Sequence, residues 1–158
     1  TKTAYKAKET EKIMRVFIDA DGCPVVDETI RLSHGQEKEC IILCDTSHRI
    51  ERQGVQTVIC PKGPDSVDFT LVNLLNTGDL VITQDYGLAA MCLSRGARAL
   101  DQNGMEYTPE NIDSLLLSRH MGQKLRRMGK RTKGPKKRTQ EQNAAFSKKL
   151  KQLLEREE

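Results

Sequence analysis

A three-layer α/β/α fold is what this sequence predicts, with a mainly parallel sheet of roughly five strands and a helical C-terminal extension. Three observations carry that expectation. Short Val/Ile/Leu runs alternate with amphipathic stretches from residue 14 to residue 100. Those runs are almost continuously apolar, as strands covered by helices on both faces must be. Beyond residue 109 the pattern changes to long, polar, helix-periodic segments.

The elements follow in order. MRVFID (14–19) reads as the first strand, an apolar run that ends on acid. PVVDETIRLSHGQ (24–36) is a helix with Pro24 suited to its first turn, where a missing N–H costs little. ECIILC (39–44) and VQTVIC (55–60) are strands. In PDSVDFTLVNLLN (64–76) Val67, Leu71, Leu74 and Leu75 stand at helical spacing. DLVIT (79–83) is a strand, YGLAAMCLSRG (86–96) a helix and ARAL (97–100) a short fifth strand. A helix from Pro109 to Gly129 and a basic loop containing Gly134 and Pro135 come next. In the closing helix Thr139 and Gln142 have capping-box spacing, and Ala145, Phe146, Leu150, Leu153 and Leu154 form an apolar face that should dock back on the body.

Composition narrows the classes. A chain of 158 residues, 37% hydrophobic and 30% charged, suits one globular unit with polar appendages. The expected organisation is a polar extension at 1–13, an α/β domain at 14–108 and a basic helical extension at 109–158 packed on that domain. No apolar run approaches the roughly 20 residues of a membrane helix, and the first residues lack the apolar core of a signal peptide. A cytoplasmic protein is therefore expected. Cys23, Cys40, Cys44, Cys60 and Cys92 agree with that: the number is odd and C-x-x-C is missing. Cys40 and Cys44 are four strand residues apart, about 13 Å, too far to chelate one ion. Reduced thiols serving as small core hydrophobes are the better reading.

Charge is segregated. Residues 119–138 hold ten Lys or Arg and no acid, which leaves 16 basic against 22 acidic residues elsewhere, a net of −6. A mildly acidic body with one basic segment is compatible with a solvated helix face, and also with a contact surface for nucleic-acid phosphates. The contact residues would be Arg126, Arg127, Lys130, Arg131 and Lys133.

The aspartates carry the chemistry. In an open parallel sheet ligands bind beyond the carboxyl ends of the strands. Asp19 and Asp21 close the first strand, Asp85 follows the fourth and Asp101 the fifth, while Asp65 and Asp68 open the helix after the third. Carboxylates gathered there repel one another, and a divalent cation relieves them; all-oxygen ligands favour Mg²⁺ or Mn²⁺. Taken singly, each aspartate is better explained structurally: Asp85 as a helix cap, Asp21 as another, and Asp79 as turn chemistry at the opposite edge. Taken together, the metal site explains more. CDTSHRI (44–50) contains Asp45, Ser47 and His48, but triad members rarely come from one short loop and the nucleophile elbow is missing. A polar loop bordering the site, with His48 or Arg49 near substrate, fits better.

Two families of acidic α/β enzymes can be compared. The haloacid-dehalogenase-type phosphatases share Asp-x-Asp at the first strand end, but Cys23 takes their Thr/Val position and Gly78-Asp79 precedes a strand where their acidic pair follows one. DADGCPV (19–25), GPDSVDFTLV (63–72), GDLVITQDYGLA (78–89) and GMEYTPENI (104–112) together resemble the YaiI/YqxD family of uncharacterised bacterial proteins. The resemblance runs from Met14 to the C-terminus, and departs from the family at Gly22 and at DQNG (101–104), the stretch that holds Asp101. That family is similar to PIN-like domains, metal-dependent ribonucleases with a parallel sheet flanked by helices. The resemblance implies Asp19 with Asp21 beside it, Asp68 (or Asp65) and Asp85 as the acidic set, with Thr83 as a hydrogen-bonding neighbour. The expected function is ribonuclease-like phosphodiester hydrolysis assisted by Mg²⁺ or Mn²⁺, with Asp101 as a further candidate ligand and RNA as the candidate partner. A catalytically inactive RNA- or metal-binding module and a protein-interaction domain are the alternatives.

Overall fold

The computed structural model describes residues 13–129 and 137–155. Six strands form one sheet: β1 Arg15–Asp19, β2 Glu39–Asp45, β3 Gln56–Cys60, β4 Leu80–Ile82, β5 Arg98–Leu100 and β6 Glu106–Tyr107. Five helices among the described residues flank it: α1 Val26–Gly35, α2 Ser66–Leu74, α3 Tyr86–Ser94, α4 Pro109–Arg127 and α5 Gln140–Glu155. The strand order is β3-β2-β1-β4-β5-β6, parallel throughout except for β6, which runs antiparallel to β5. The expected three-layer architecture is present. The sixth strand is the addition, and at two residues it is too short to leave a periodic signal.

Alternation within the central strands divides the core. Val16 and Ile18 of β1 join Ile42, Leu80 and Ile82 under α1 and α5, where Phe146, Leu150, Leu153 and Leu154 are fully buried. Phe17 faces the other way, with Leu43, Val81, Leu71, Leu88 and Cys92 under α2 and α3. The closing helix thus docks through Phe146, Leu150, Leu153 and Leu154 of the expected face, whereas Ala145, counted on the same face, is exposed. Burying one such Leu or Phe side chain is worth about 1.5–3 kcal/mol, so these helices are held by packing more than by propensity. All five cysteines are free, four of them buried and Cys23 half-buried. Among the described residues no helix is long and apolar enough to cross a membrane.

β1 is the hinge of the topology. It pairs with β2 on one side and β4 on the other, so the chain leaves it in one direction and later returns to fill the opposite side. The carboxyl ends of β1 and β4 therefore flank the point where strand order reverses, the crevice of a doubly wound sheet. At the other end of the same two strands lies Asp79, only 1% exposed. Its carboxylate accepts from Arg15 N at 3.0 Å, Arg15 Nη2 at 2.8 Å and Asn76 N at 2.8 Å. Turn chemistry is part of its role, but the buried ion pair joining the starts of β1 and β4 is the larger part.

Candidate active site

Asp19 leaves β1 at the switch point. Its Oδ2 accepts from the hydroxyl of Thr83 at 2.7 Å, and Thr83 is itself 2% exposed just beyond β4. The same hydroxyl accepts the backbone N–H of Asp85 at 3.0 Å, and the Thr83 carbonyl accepts from the Tyr107 hydroxyl at 3.0 Å. Thr83 is thus gripped from three directions and orients Asp19. Burial pushes the Asp19 carboxyl above the ordinary range; the Thr83 hydrogen bond opposes this, and the charges of Asp85 and Asp21 add to it.

Asp85 caps α3, its Oδ1 accepting from Gly87 N at 2.9 Å and Leu88 N at 3.2 Å. The capping role foreseen for this residue is real, and it fixes the carboxylate at the helix N-terminus, where the helix dipole favours its charge. Arg119 of α4 reaches the same oxygen at 3.4 Å. Among the described residues, the other oxygen of Asp85 and Oδ1 of Asp19 accept no hydrogen bond.

Asp68 completes the group from the first turn of α2. Its carboxyl is pushed up to about 6, first by burial, then by the charges of Asp85, Asp19 and Asp65, with Arg119 opposing. Asp65 occupies the N-cap position of α2 in the left-handed region (φ 63°) and makes no capping bond, an unfavourable backbone state for a residue with a Cβ. Asp21 does not cap α1, whose N-cap is Val25 without a side-chain bond. It is exposed, and His48 Nδ1 lies 4.0 Å from its Oδ1 and 3.1 Å from Asp45 Oδ1. Asp45 in turn accepts from Ser47 N and His48 N, so CDTSHRI is a self-capped loop at the edge of the rim.

Asp101 follows β5 directly. Its Oδ1 accepts from Asn103 N and Met105 N, both at 2.8 Å, and holds the β5–β6 turn. Asp19, Asp68 and Asp85 act on one another, with Asp21 adding to the charge felt by Asp19 and Asp65 to that felt by Asp68. Arg126 and Arg127 are exposed at the end of α4, while Lys130, Arg131 and Lys133 lie outside the described residues.

Several neighbours of the rim had no local signal in the sequence. Arg119 was visible as the first cation of the basic segment, but its partner is 34 residues away. Gln84 Nε2 donates to the Gly22 carbonyl at 3.1 Å and ties the two strand-end loops together. Arg138 is held by Asn103 Oδ1, Asn143 Oδ1 and the Gln102 carbonyl. The Cys23 thiol is pushed up by burial, with the Asp19 charge adding to this and the Arg138 guanidinium opposing it.

The donor chemistry suits a hard divalent cation: carboxylate oxygens, mutually repelling, with uncommitted lone pairs. The spacing does not by itself suffice. Among the described residues no three His, Cys, Asp or Glu side chains stand close enough to hold an ion. Any cation here would need further oxygens from water or from a phosphate.

Fold and rim together define a doubly wound α/β protein with a carboxylate site at its switch point. The chain belongs to the YaiI/YqxD family: the family model described as "Uncharacterized BCR, YaiI/YqxD family" matches residues 17–156. Similar proteins include a UPF0178 protein of Exiguobacterium sibiricum, 55% identical over 141 residues that cover 89% of this chain and 96% of the relative. One from Ruminiclostridium cellulolyticum is 47% identical, covering 87% and 90%, and one from Clostridium acetobutylicum is 41% identical, covering 90% and 98%. No solved structure matches the chain.

Proposed function

We propose that the rim is the site of a cation-assisted phosphodiesterase acting on RNA, in the manner of PIN-like ribonucleases. The observation that carries the reading is the mutual charge repulsion of Asp19, Asp68 and Asp85, brought from three distant segments to the switch point. A group that costs the fold stability at a ligand-binding crevice is a recognised mark of function. Mg²⁺ or Mn²⁺, when bound, would make hydroxide available near neutral pH and offset charge developing on the phosphate. Asp19 and Asp85 would each contribute the oxygen left unused by Thr83 and by the α3 cap. A cation site completed by substrate phosphate is consistent with the lack of a preformed three-residue cluster. Asp68, with its raised affinity for protons, is suited to take a proton from an attacking water. Thr83 positions Asp19. Arg126 and Arg127 would draw the phosphate backbone toward a rim that would otherwise repel it.

A second reading has its own observation. Asp85 is already engaged by a cap and by Arg119, which suits an RNA- or metal-binding module without turnover. Calorimetry with Mn²⁺ separates the two, run on metal-stripped protein alone and with a non-cleavable phosphorothioate RNA. For the phosphodiesterase, saturable binding that Asp19→Asn and Asp85→Asn both abolish is expected, followed by Mn²⁺-dependent cleavage of the unmodified RNA. Binding without cleavage supports the module. No Mn²⁺ binding under either condition removes the cation from the site.

A further inference from the structure

Helix α4 runs back along α3 in the opposite direction. Its first turn stands beside the end of α3, where Pro109, Ile112 and Asp113 border one groove with Leu93 and Ser94. Ile112, Leu115 and Leu116 continue the contact against Ala89 and Tyr107. At about 100° per residue Arg119 lies within about 20° of Ile112, two turns further on. The spans from Ser94 back to Asp85 and from Pro109 to Arg119 are about 14 and 15 Å at the rise of an α-helix. Packing of the two helices thus delivers Arg119 to the N-cap of α3, and so to the acidic rim.

The contact made there differs from the protein's structural arginine contacts. Arg15 donates at 2.8 Å to both Asp79 and the Leu74 carbonyl, and Arg98 at 2.8 and 3.1 Å to Glu106. Arg119 Nη1 stands 3.4 Å from Asp85 Oδ1, longer than the usual bond of this type. That oxygen already accepts from Gly87 N and Leu88 N. Among the described residues the guanidinium has no other acceptor, and the side chain is 49% exposed. An exposed ion pair so long adds little to stability. A guanidinium, however, carries its donors in a planar fork that matches a phosphate, and most of them are uncommitted here. Arg126 and Arg127 lie about 10–12 Å further along α4, so Arg119 is the arginine of that helix set at the rim itself.

We propose that Arg119 is the phosphate clamp of the rim: its fork takes the non-bridging oxygens of the RNA phosphate lying against Asp19 and Asp85. The inference rests on the reading of the rim as a site for RNA, and adds the residue that holds the substrate there. Asp85 keeps the guanidinium in place before the phosphate arrives, through a contact loose enough to be exchanged. Paired charge-assisted hydrogen bonds to phosphate are stronger than the single long contact given up. Without such a group the carboxylates would repel the phosphate they are to act on.

Anisotropy titrations of the full chain with the phosphorothioate RNA in Mn²⁺, repeated over a range of salt, test the clamp by binding. Arg119→Gln should weaken RNA binding about tenfold or more. It should also make the slope of log affinity against log salt shallower by about 0.7, the share of one single-strand phosphate. Its melting temperature should fall by less than about 4 °C, as for loss of an exposed ion pair. Arg119→Lys keeps the charge and loses the fork, so it should regain the salt slope but not the full affinity. Unchanged RNA affinity in Arg119→Gln overturns the clamp alone, and Mn²⁺-dependent cleavage by that variant would leave the phosphodiesterase reading standing. Full affinity in Arg119→Lys overturns the fork. A larger fall in melting temperature in both variants makes Arg119 a structural partner of Asp85 and overturns the clamp as well. A wild type that binds no RNA, with or without Mn²⁺, overturns both the clamp and the reading on which it rests.

Discussion

Replacing Asp68 with Asn should make the protein more stable at neutral pH, and only there. The carboxyl rises from an ordinary 3.8 to about 6 because it is partly buried and faces Asp85, Asp19 and Asp65. Well below pH 3.8 it is protonated in both the native and unfolded chains, so it contributes no difference there. As pH climbs from 3.8 toward 6 the unfolded chain ionises first, and the native state loses stability; above 6 the loss is complete. At full value that rise corresponds to about 3 kcal/mol. Asp68 is not fully buried, and solvent screening reduces the figure to about 1 kcal/mol. Asn removes the charge with little change of shape. The expected gain is therefore about 1 kcal/mol near pH 7.5, or about 2–4 °C in melting temperature, falling to a small fraction of that near pH 4. Thermal unfolding of the two proteins at both pH values measures it. No gain near pH 7.5 refutes the electrostatic account of the rim. An equal gain at both pH values also refutes it, because the benefit would then have nothing to do with charge. A variant that gains stability while losing Mn²⁺ binding would show the trade expected where a functional site is held in a repulsive state.

Two further outcomes test the frame around the site. Asp79→Asn should cost about 3 kcal/mol, because it removes the buried counter-ion of Arg15 and disturbs acceptors used by two backbone N–H groups. Urea unfolding should show a lower midpoint at unchanged slope, and a loss below about 1 kcal/mol would contradict the pairing of the β1 and β4 starts. Gly104→Ala should cost about 2 kcal/mol: the residue has φ 88°, and an added Cβ would lie 2.7 Å from the Ala145 carbonyl oxygen of α5. That neighbour is backbone and cannot rotate away. An unchanged melting temperature would show that α5 is free to shift off the β5–β6 turn.

Much of this protein was legible residue by residue. The apolar runs of β1, β2 and β3, the helical spacing of Phe146, Leu150, Leu153 and Leu154, and the capping role of Asp85 each depend on neighbours a few positions away. Local propensity and hydrophobic period are enough to read them. The placing of Asp19, Asp68 and Asp85 at one edge followed from the parallel sheet the alternation implied. Other features are decided only when distant segments meet. Thr83 reaches Asp19, and Arg15 reaches Asp79, across 64 positions in the chain, and Arg119 reaches Asp85 across 34. The strand order that sets β4 beside β1 is what makes the first two contacts. The β5–β6 turn likewise engages Asp101, because it offers that carboxylate two backbone N–H donors close at hand. Sequence alone thus determined which side chains stand at strand ends and which faces are apolar, since both are set by adjacent residues. Tertiary structure decided which of those carboxylates share a field and which are neutralised by a fixed partner, because charge acts through space and takes no account of distance along the chain.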